Sequence, residues 1–292
     1  MINALTIDVE DYYPIFARDH MAMEMPVGPD VVRSTAVITD MLAARGIKAT
    51  FFILGEVAAA HPQLAPSLAA AGHEIGVHGY HHRQVFKLTR QEFADEIRSA
   101  RKLLEDQTGR DVKGHRAPAF SIGPDTQWAL DVLAEEGFRY DSSIFPIRGR
   151  RYGWPGFGPA IRRVPLAGGR SIIEAPLSTL SVLGKKLPVC GGGYLRHFPL
   201  WFTRWAFGHI AAKRPVIVYM HPYETDADAP PAAFQAALDR SPDETRRFHC
   251  GQLHNRATVA GKLASLLDSF SFAPLGGVID AALEQAGPMH QA

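Results

Sequence analysis

The stretch ALTIDVE at residues 4–10 decides the fold class, because it is a short β-branched run that ends in polar groups. Similar apolar runs occur at residues 48–54, 74–77, 112–114, 172–175 and 216–220. Segments of helical periodicity separate them, such as the one that opens with the capping-box pair Thr89 and Glu92 and ends at Gly109. This alternation is typical of βα units around a parallel sheet or barrel.

Polar side chains stand at the C-terminal ends of several of these runs. They are Asp8, Glu10, His78, Arg116 and His221. In a βα barrel, side chains at those ends converge on one face, where the active site is built. We therefore expect these five residues to form one site.

The sequence HGYHH places His78 and His82 four residues apart, a spacing that puts both imidazoles on one side of a helical turn. Asp8 and Glu10 alternate onto one face of the first strand. Two histidines and one carboxylate, with positions left open, form a common catalytic site for zinc or another divalent ion. Asp11 is the competing carboxylate, although strand alternation turns it away from Asp8.

The composition excludes several classes of protein. Lysine and arginine (31 residues) balance aspartate and glutamate (30 residues), so no field of one sign attracts nucleic acid or acidic lipid. Cys190 and Cys250 are far apart and form no thiolate zinc motif. The first residues lack a signal-peptide pattern, and no run reaches the ~20 apolar residues that span a bilayer. We expect a cytoplasmic protein with no nucleic-acid partner and no membrane span.

Length and hydrophobic content indicate how the chain is organised. Its 292 residues, 46% of them hydrophobic, suffice for one large α/β core. We predict a barrel domain over residues 1–226 and a C-terminal extension over residues 227–292 that packs on it. Residues 146–169 and the CGGGY sequence at 190–194 are predicted long loops. The cluster of Trp201, Phe202 and Trp205 indicates either a subunit contact of a homo-oligomer or, more simply, core packing.

Four motifs in order resemble those of one known family. They are TIDVED at residues 6–11, HGYHH at 78–82, RAPAF at 116–120 and VIVYMHPYE at 216–224. Over roughly residues 3–224 the chain resembles polysaccharide deacetylases with a NodB homology domain, carbohydrate esterase family 4. The segments LPVCGGGYLR and 246–272 are similar to a subgroup found with exosortase and exopolysaccharide loci. The resemblance implies a distorted (β/α)7 barrel and deacetylation of an N-acetylhexosamine unit in a polysaccharide or its precursor.

The resemblance also implies a metal site. Val9 stands where the family has its usual aspartate ligand, which makes Glu10 the carboxylate ligand beside His78 and His82. The implied cofactor is a divalent metal, zinc first, with cobalt, nickel, manganese and iron as alternatives. The implied partner is an N-acetylated glycan.

Roles in amide hydrolysis follow from the same resemblance. Asp8 takes a proton from water activated by the metal, and His221 protonates the departing nitrogen. Arg116 holds Asp8 ionised and oriented, since a guanidinium group can grip a carboxylate with two hydrogen bonds.

Six residues are predicted to bind substrate or line its pocket. They are Tyr80, Pro118, Phe120, Asp141, Trp154 and Tyr194. Asp141 could also tune a histidine, and an equal alternative is a turn-forming aspartate bonded to the backbone. For Trp154 and Tyr194 the alternative is that they cover the core. Two rival functions also stay open: an allantoinase-like amidase acting on a cyclic amide or ureide, and a carbohydrate-binding relative without turnover.

Overall fold

The computed structural model describes residues 1–149, 152–182 and 184–286. Its strands are β1 (Asn3–Val9), β2 (Thr50–Ile53), β3 (Glu74–Val77), β4 (Gly114–His115), β5 (Tyr140–Asp141), β6 (Arg162–Pro165), β7 (Ser171–Glu174), β8 (Thr179–Val182), β9 (Lys185–Pro188), β10 (Ile217–Met220) and β11 (Phe272–Ala273). Its helices are α1 (Tyr12–Met21), α2 (Asp30–Ala43), α3 (Gly55–Ala60), α4 (Leu64–Ala70), α5 (Arg90–Thr108), α6 (Trp128–Glu135), α7 (Gly192–His197), α8 (Leu200–Ala211), α9 (Ala232–Asp239), α10 (Asp243–Leu253), α11 (Val259–Ser269) and α12 (Leu275–Ala286).

Seven parallel strands form a curled sheet in the order β10-β1-β2-β3-β4-β5-β7. β6 extends its edge in antiparallel orientation, and β11 pairs with β1. In the described part of the chain no ladder joins β7 to β10. Irregular chain fills that side instead, where Ser178 Oγ accepts a bond from the Ile217 amide (2.8 Å) and the Cys190 carbonyl accepts one from Tyr219 (3.1 Å). The predicted distorted (β/α)7 barrel is confirmed.

The apolar runs of the sequence become the central strands. All residues of β1, β2 and β10 are buried, which explains why these strands appear as nearly continuous hydrophobic runs. β5 is different, since Tyr140 and Asp141 alone form it and two residues carry no periodicity. The apolar runs therefore do not predict β5, and they do not predict the exposed β6 or the partly buried β8 and β9.

Local signals fix the ends of α5 as expected. Thr89 Oγ1 accepts the amide of Glu92 at 3.2 Å, and Glu92 Oε2 accepts the amide of Thr89 at 2.8 Å, which completes the predicted capping box. Gly109 ends the helix in the left-handed region with φ of 63°. Because these signals depend on residues within one turn, the sequence alone reveals them.

The two predicted long loops contain more regular structure than expected. Residues 162–165 within the first form β6, and Gly192 in the CGGGY sequence begins α7. Arg150 and Arg151 of the first loop and Leu183 lie outside the described residues. The long-loop prediction is therefore wrong over these two stretches.

The C-terminal residues take part in the main core. Leu275, Val278 and Ile279 of α12 pack in one buried cluster with Ala4 and Ile217, at the N-terminal ends of β1 and β10. β11 adds a strand beside β1. β11 and α12 thus close the end of the barrel from which β1 and β10 start, and the domain boundary at residue 227 stays a prediction.

Two tryptophans of α8 point to solvent. Trp201 is 71% exposed and Trp205 is 51% exposed, so the core-packing interpretation is wrong for both. A homo-oligomer contact at this surface stays a prediction. None of the helices in the described ranges has both the length and the apolar character needed to cross a bilayer.

Candidate active site

Three ligand atoms converge where β1 and β3 end. Oε2 of Glu10 lies 2.9 Å from Nε2 of His82 and 3.4 Å from Nε2 of His78. This oxygen is buried, yet it has no partner in hydrogen-bonding geometry. Atoms this close without hydrogen bonds are directed at a common point, and two imidazole nitrogens with one carboxylate oxygen are a donor set that divalent cations such as zinc accept. The residues present therefore fit a divalent metal.

The two histidines reach this point from a loop and not from a helix. Gly79 has φ of 77° and His82 has φ of 55°, so the backbone turns twice through the left-handed region between β3 and α5. The predicted helical turn is wrong, although the two rings do meet. A non-glycine residue held at positive φ is a feature found at ligand sites.

The backbone carbonyl of Arg116 determines which ring nitrogen of His78 carries the proton. Nδ1 of His78 lies 2.9 Å from the carbonyl oxygen of Arg116. Since a carbonyl can only accept a hydrogen bond, Nδ1 carries the proton, and the lone pair of Nε2 faces Glu10.

Asp8 presents one bonded and one open oxygen. Its Oδ1 accepts a hydrogen bond from Nη1 of Arg116 at 2.8 Å, while the buried Oδ2 has no partner and lies 4.0 Å from Nε2 of His221. Arg116 uses its other donors on Thr6 and Ser142. The prediction of two hydrogen bonds from Arg116 to Asp8 is therefore corrected to one.

His221 is held between carboxylates. Its Nε2 lies 3.7 Å from Oε1 of Glu10, and its Nδ1 lies 3.2 Å from Oε2 of Glu224. Burial lowers the pKa of His221, but the charges of Glu10, Glu224 and Asp8 outweigh burial and raise that pKa to about 9. Burial likewise raises the pKa of Glu10, yet the neighbouring His82 and His221 hold it well below its usual value.

Glu224 is a site residue that the sequence analysis missed. It is 1% exposed, and its Oε2 also accepts the amide of His221 at 3.0 Å. A Cβ atom on Gly192 would lie 1.6 Å from that oxygen, so only glycine permits this approach. The available signals were a carboxylate three residues after His221 and a run of three glycines.

Asp141 belongs to a buried network beneath the site. Its Oδ1 lies 2.7 Å from Nδ1 of His115 and accepts a bond from Ser143 Oγ, and its Oδ2 accepts the Ser143 amide. Asp141 is fully buried, so its prediction as a substrate contact is corrected to the alternative role of positioning a histidine. Burial first, and then the Asp141 charge, raise the pKa of the adjacent Glu174 well above its usual value.

An open cleft of about 550 Å³ leads to Glu10 and His82. Its aromatic walls include Phe16, Phe86 and Tyr223. None of the six predicted substrate contacts is among the described residues that line it. Phe16 and Phe86 lie outside the four motifs and carry no local signal of this role, whereas Tyr223 lies within the fourth motif beside His221.

Three of the predicted substrate contacts pack inside the protein. The ring of Tyr80 occupies the space where a Cβ of Gly55 would lie, and Pro118 is buried. Tyr194 is half-buried with its hydroxyl 3.3 Å from that of Tyr152. Tyr80, Pro118 and Tyr194 therefore pack against other side chains and do not line the cleft that leads to Glu10 and His82.

Phe120 and Trp154 also pack away from the cleft. Phe120 is 6% exposed and makes an edge contact with Tyr219 at 4.6 Å, while Trp154 packs on Phe157 at 5.2 Å. Between Pro118 and Phe120, Ala119 lines the cleft, and it has φ of 52°. The RAPAF motif thus contributes a strained backbone segment to the cleft.

Comparisons with known proteins agree with this site. Residues 21–140 match the family model described as "Polysaccharide deacetylase", and residues 142–280 match the one described as "Domain of unknown function (DUF3473)". The first match contains His78, His82 and Arg116, while Asp8 and Glu10 precede it and His221 lies in the second.

Similar proteins carry related names. A peptidoglycan-N-acetylglucosamine deacetylase of Bacillus cereus is 28% identical over 160 residues, which are 49% of this chain and 58% of that protein. A peptidoglycan deacetylase of Helicobacter pylori is 30% identical over 98 residues, 34% of this chain and 32% of that protein. The chain therefore aligns with less than two thirds of either relative.

A solved structure shares the fold over nearly the whole chain. It is a protein of Mycobacterium smegmatis named as a candidate polysaccharide deacetylase, with a TM-score of 0.62, 19% identity, and coverage of 98% of this chain and 91% of that one. The family match, the named relatives and the shared fold agree with each other: residues 21–140 belong to the polysaccharide deacetylase family, within a chain that has the barrel fold of that solved structure.

Proposed function

We propose that the protein is a divalent-metal-dependent N-deacetylase that hydrolyses the acetamido group of an N-acetylhexosamine unit in a polysaccharide or its precursor. One observation carries the proposal. Buried Oε2 of Glu10 lies beside Nε2 of His78 and Nε2 of His82, and it makes no hydrogen bond with any described residue. His221 connects this group to Asp8, because its Nε2 lies 3.7 Å from Oε1 of Glu10 and 4.0 Å from the open Oδ2 of Asp8. The names of the relatives support the choice of an acetylated glycan.

Glu10, His78 and His82 would hold the cation, and zinc is the first choice for this donor set. When bound, a divalent cation polarises the acetyl carbonyl and lowers the pKa of water toward about 7. The protein keeps the ligands ready, because the Arg116 carbonyl fixes the tautomer of His78.

Asp8 acts as the general base. Its open Oδ2 accepts a proton from the attacking water, while the hydrogen bond from Arg116 to Oδ1 holds the carboxylate in one orientation. Water oxygen bonds to the acetyl carbon as this proton leaves. A carboxylate with both oxygens paired would be a weaker proton acceptor.

His221 acts as the general acid. Glu224 lies against Nδ1, which leaves Nε2 facing Asp8 and Glu10, where it can give its proton to the departing nitrogen. The carbon–nitrogen bond breaks, and the products are acetate and the free amine. The charge of Glu224 beside Nδ1 raises the pKa of His221 and so favours the protonated form that a general acid needs.

Aromatic walls suit a sugar substrate. Phe16, Phe86 and Tyr223 line the cleft beside the ligand atoms, and such rings offer apolar faces to a pyranose ring. Phe86 is 58% exposed, which leaves its ring accessible to a polymer from outside.

The test is acetate release from N-acetylglucosamine oligomers by the metal-loaded protein, with cyclic ureides assayed in parallel. We expect Asp8→Asn to abolish release with unchanged circular dichroism. Asp11→Asn is the matched control, because Asp11 bonds the Gly28 amide at 2.7 Å outside the ligand set. Full activity of Asp8→Asn removes the base assignment, and turnover of ureides alone selects the amidase function.

A further inference from the structure

A cationic groove lies at the end of β1 and β10 opposite the candidate active site. Its volume is about 810 Å³. Met1 and Pro215, which line it, come just before β1 and β10, whereas Glu10 and His221 of the candidate active site come just after the same strands. Its cationic side chains are Arg162, Arg163, Lys213 and Arg214. We use the name cationic groove for the space these four residues line.

The four cations of the groove lack anionic partners. No aspartate or glutamate is among the described residues that line the groove, and none of the four forms an ion pair with a described carboxylate. Among the described residues, Arg163 donates only to Ser171 Oγ, at 3.2 Å. Nη2 of Arg214 donates to the Thr179 carbonyl at 2.7 Å, but its buried Nη1 has no partner in the described part of the chain. A buried cationic donor without a partner costs stability that an anion would restore.

The surroundings add positive charge. Lys186 has its pKa lowered by burial and then by the charges of Arg214 and Arg162. Residues 142–223 contain twelve lysines and arginines, and Glu174 is their single acidic residue. The whole chain has a net charge of only +1, so the positive charge is concentrated in this segment.

We propose that the cationic groove binds a phosphate-bearing ligand. Guanidinium groups match the geometry of phosphate oxygens with paired hydrogen bonds, and several cations together suit a group with more than one negative charge. The volume is in the range of small-molecule sites, about 300–1,000 Å³. Ile161 and Leu283 line the same groove and provide an apolar wall for the rest of the ligand. No aromatic ring is among its described lining residues, so base stacking has no support there.

This inference is independent of the proposed function, because it uses none of the active-site residues. The phosphate group has two sources that share this chemistry, a soluble phosphorylated compound and a phospholipid headgroup. Inorganic pyrophosphate and vesicles therefore serve as separate probes.

The experiment titrates the full chain with inorganic pyrophosphate by calorimetry. We expect saturable binding that weakens at least ~10-fold in Arg162→Gln/Lys213→Gln, which changes two exposed positions, with circular dichroism as the check on folding. Arg110→Gln/Arg240→Gln is the control, since it removes the same charge from exposed arginines outside the groove. Arg214→Lys, which keeps the charge but loses the planar donor pair, should also weaken binding.

Vesicle sedimentation identifies the source of the phosphate. Binding to vesicles of phosphatidylcholine with phosphatidylglycerol, competed by pyrophosphate, assigns the groove to a lipid headgroup. Pyrophosphate binding without vesicle binding assigns it to a soluble ligand. The proposal is overturned if neither probe binds saturably, or if the groove variant and the charge-matched control weaken binding equally.

Discussion

Nη1 of Arg116 donates a hydrogen bond to Oδ1 of Asp8 over 2.8 Å, and the two side chains are 0% and 1% exposed. The remaining donors of Arg116 are satisfied by Thr6 and Ser142, and its guanidinium carbon lies 4.5 Å from the centre of the Phe52 ring. This buried pair therefore joins the end of β1 to the chain after β4. It also holds the general base in one orientation.

Arg116→Lys should damage both the fold and the activity. Lysine keeps the charge but cannot bond Asp8, Thr6 and Ser142 from one planar group, and a buried polar group left unsatisfied costs about 1–3 kcal/mol. We expect a loss of that size in the urea unfolding free energy and a fall in kcat at temperatures where the variant stays folded. Activity and stability equal to those of the parent protein would contradict the role of the guanidinium geometry.

Glu224→Gln should lower kcat with little change in KM. The glutamine keeps the volume but loses the charge that holds Nδ1 of His221, and removing such a supporting partner typically costs about 10- to 100-fold. Acetate release measured over a range of substrate concentrations separates the two parameters. A change confined to KM would mean that Glu224 acts on substrate binding instead.

Gly192→Ala should reproduce the effect of Glu224→Gln. Its new Cβ would displace the Glu224 carboxylate, whereas Gly193→Ala is the neighbouring control, with 3.4 Å to the nearest atom, the flexible end of Arg196. Because both changes act on one contact, the double variant of Gly192 and Glu224 should lose little more than either single variant. Additive losses in a double-mutant cycle would show that the glycine acts elsewhere.

Compared with the parent protein, the Glu174→Gln variant should gain stability as the pH rises. The folded pKa of Glu174 is raised well above 4.5 by burial and by Asp141, so the folded state binds a proton that the unfolded state releases. Stability from this group is therefore full below about pH 4.5 and declines as pH rises toward the folded pKa. Glutamine mimics the protonated acid and removes this decline. The measurement is urea unfolding from pH 4.5 to 8, with the exposed Glu24→Gln as control; parallel curves for all three proteins would contradict the raised pKa.

Much of the site was predictable because its residues follow recognisable strands. Asp8, Glu10, His78 and His221 each stand at the end of an apolar run, and parallel strands bring such ends together. The contact between Glu224 and Gly192 was not predictable in this way. It joins residues from two segments distant in sequence, and neither carries a local pattern.

Other parts of the structure could not be predicted, because the local sequence carries no pattern that indicates them. The two-residue β5 forms because Tyr140 pairs with β4 and β7 on either side, so its structure comes from its neighbours and not from its own periodicity. Similarly, the sequence around Phe86 resembles that of an ordinary core residue, and only the packing leaves its ring 58% exposed at the cleft. The cytoplasmic location and the domain boundary at residue 227 stay predictions.

The central claim is that His82, Glu10 and His78 bind a catalytic divalent metal, and two adjacent histidines allow a direct test. Nε2 of His82 lies 2.9 Å from Glu10 Oε2, whereas His81 is 54% exposed by its side chain and contacts Glu56. Both zinc content, by elemental analysis, and acetate release are measured after zinc loading. The parent protein and His81→Gln should each contain about one zinc per chain and release acetate. His82→Gln should lose both the zinc and the activity while it remains folded. Equal zinc content and acetate release in the two histidine variants would contradict the metal site and the deacetylase mechanism built on it.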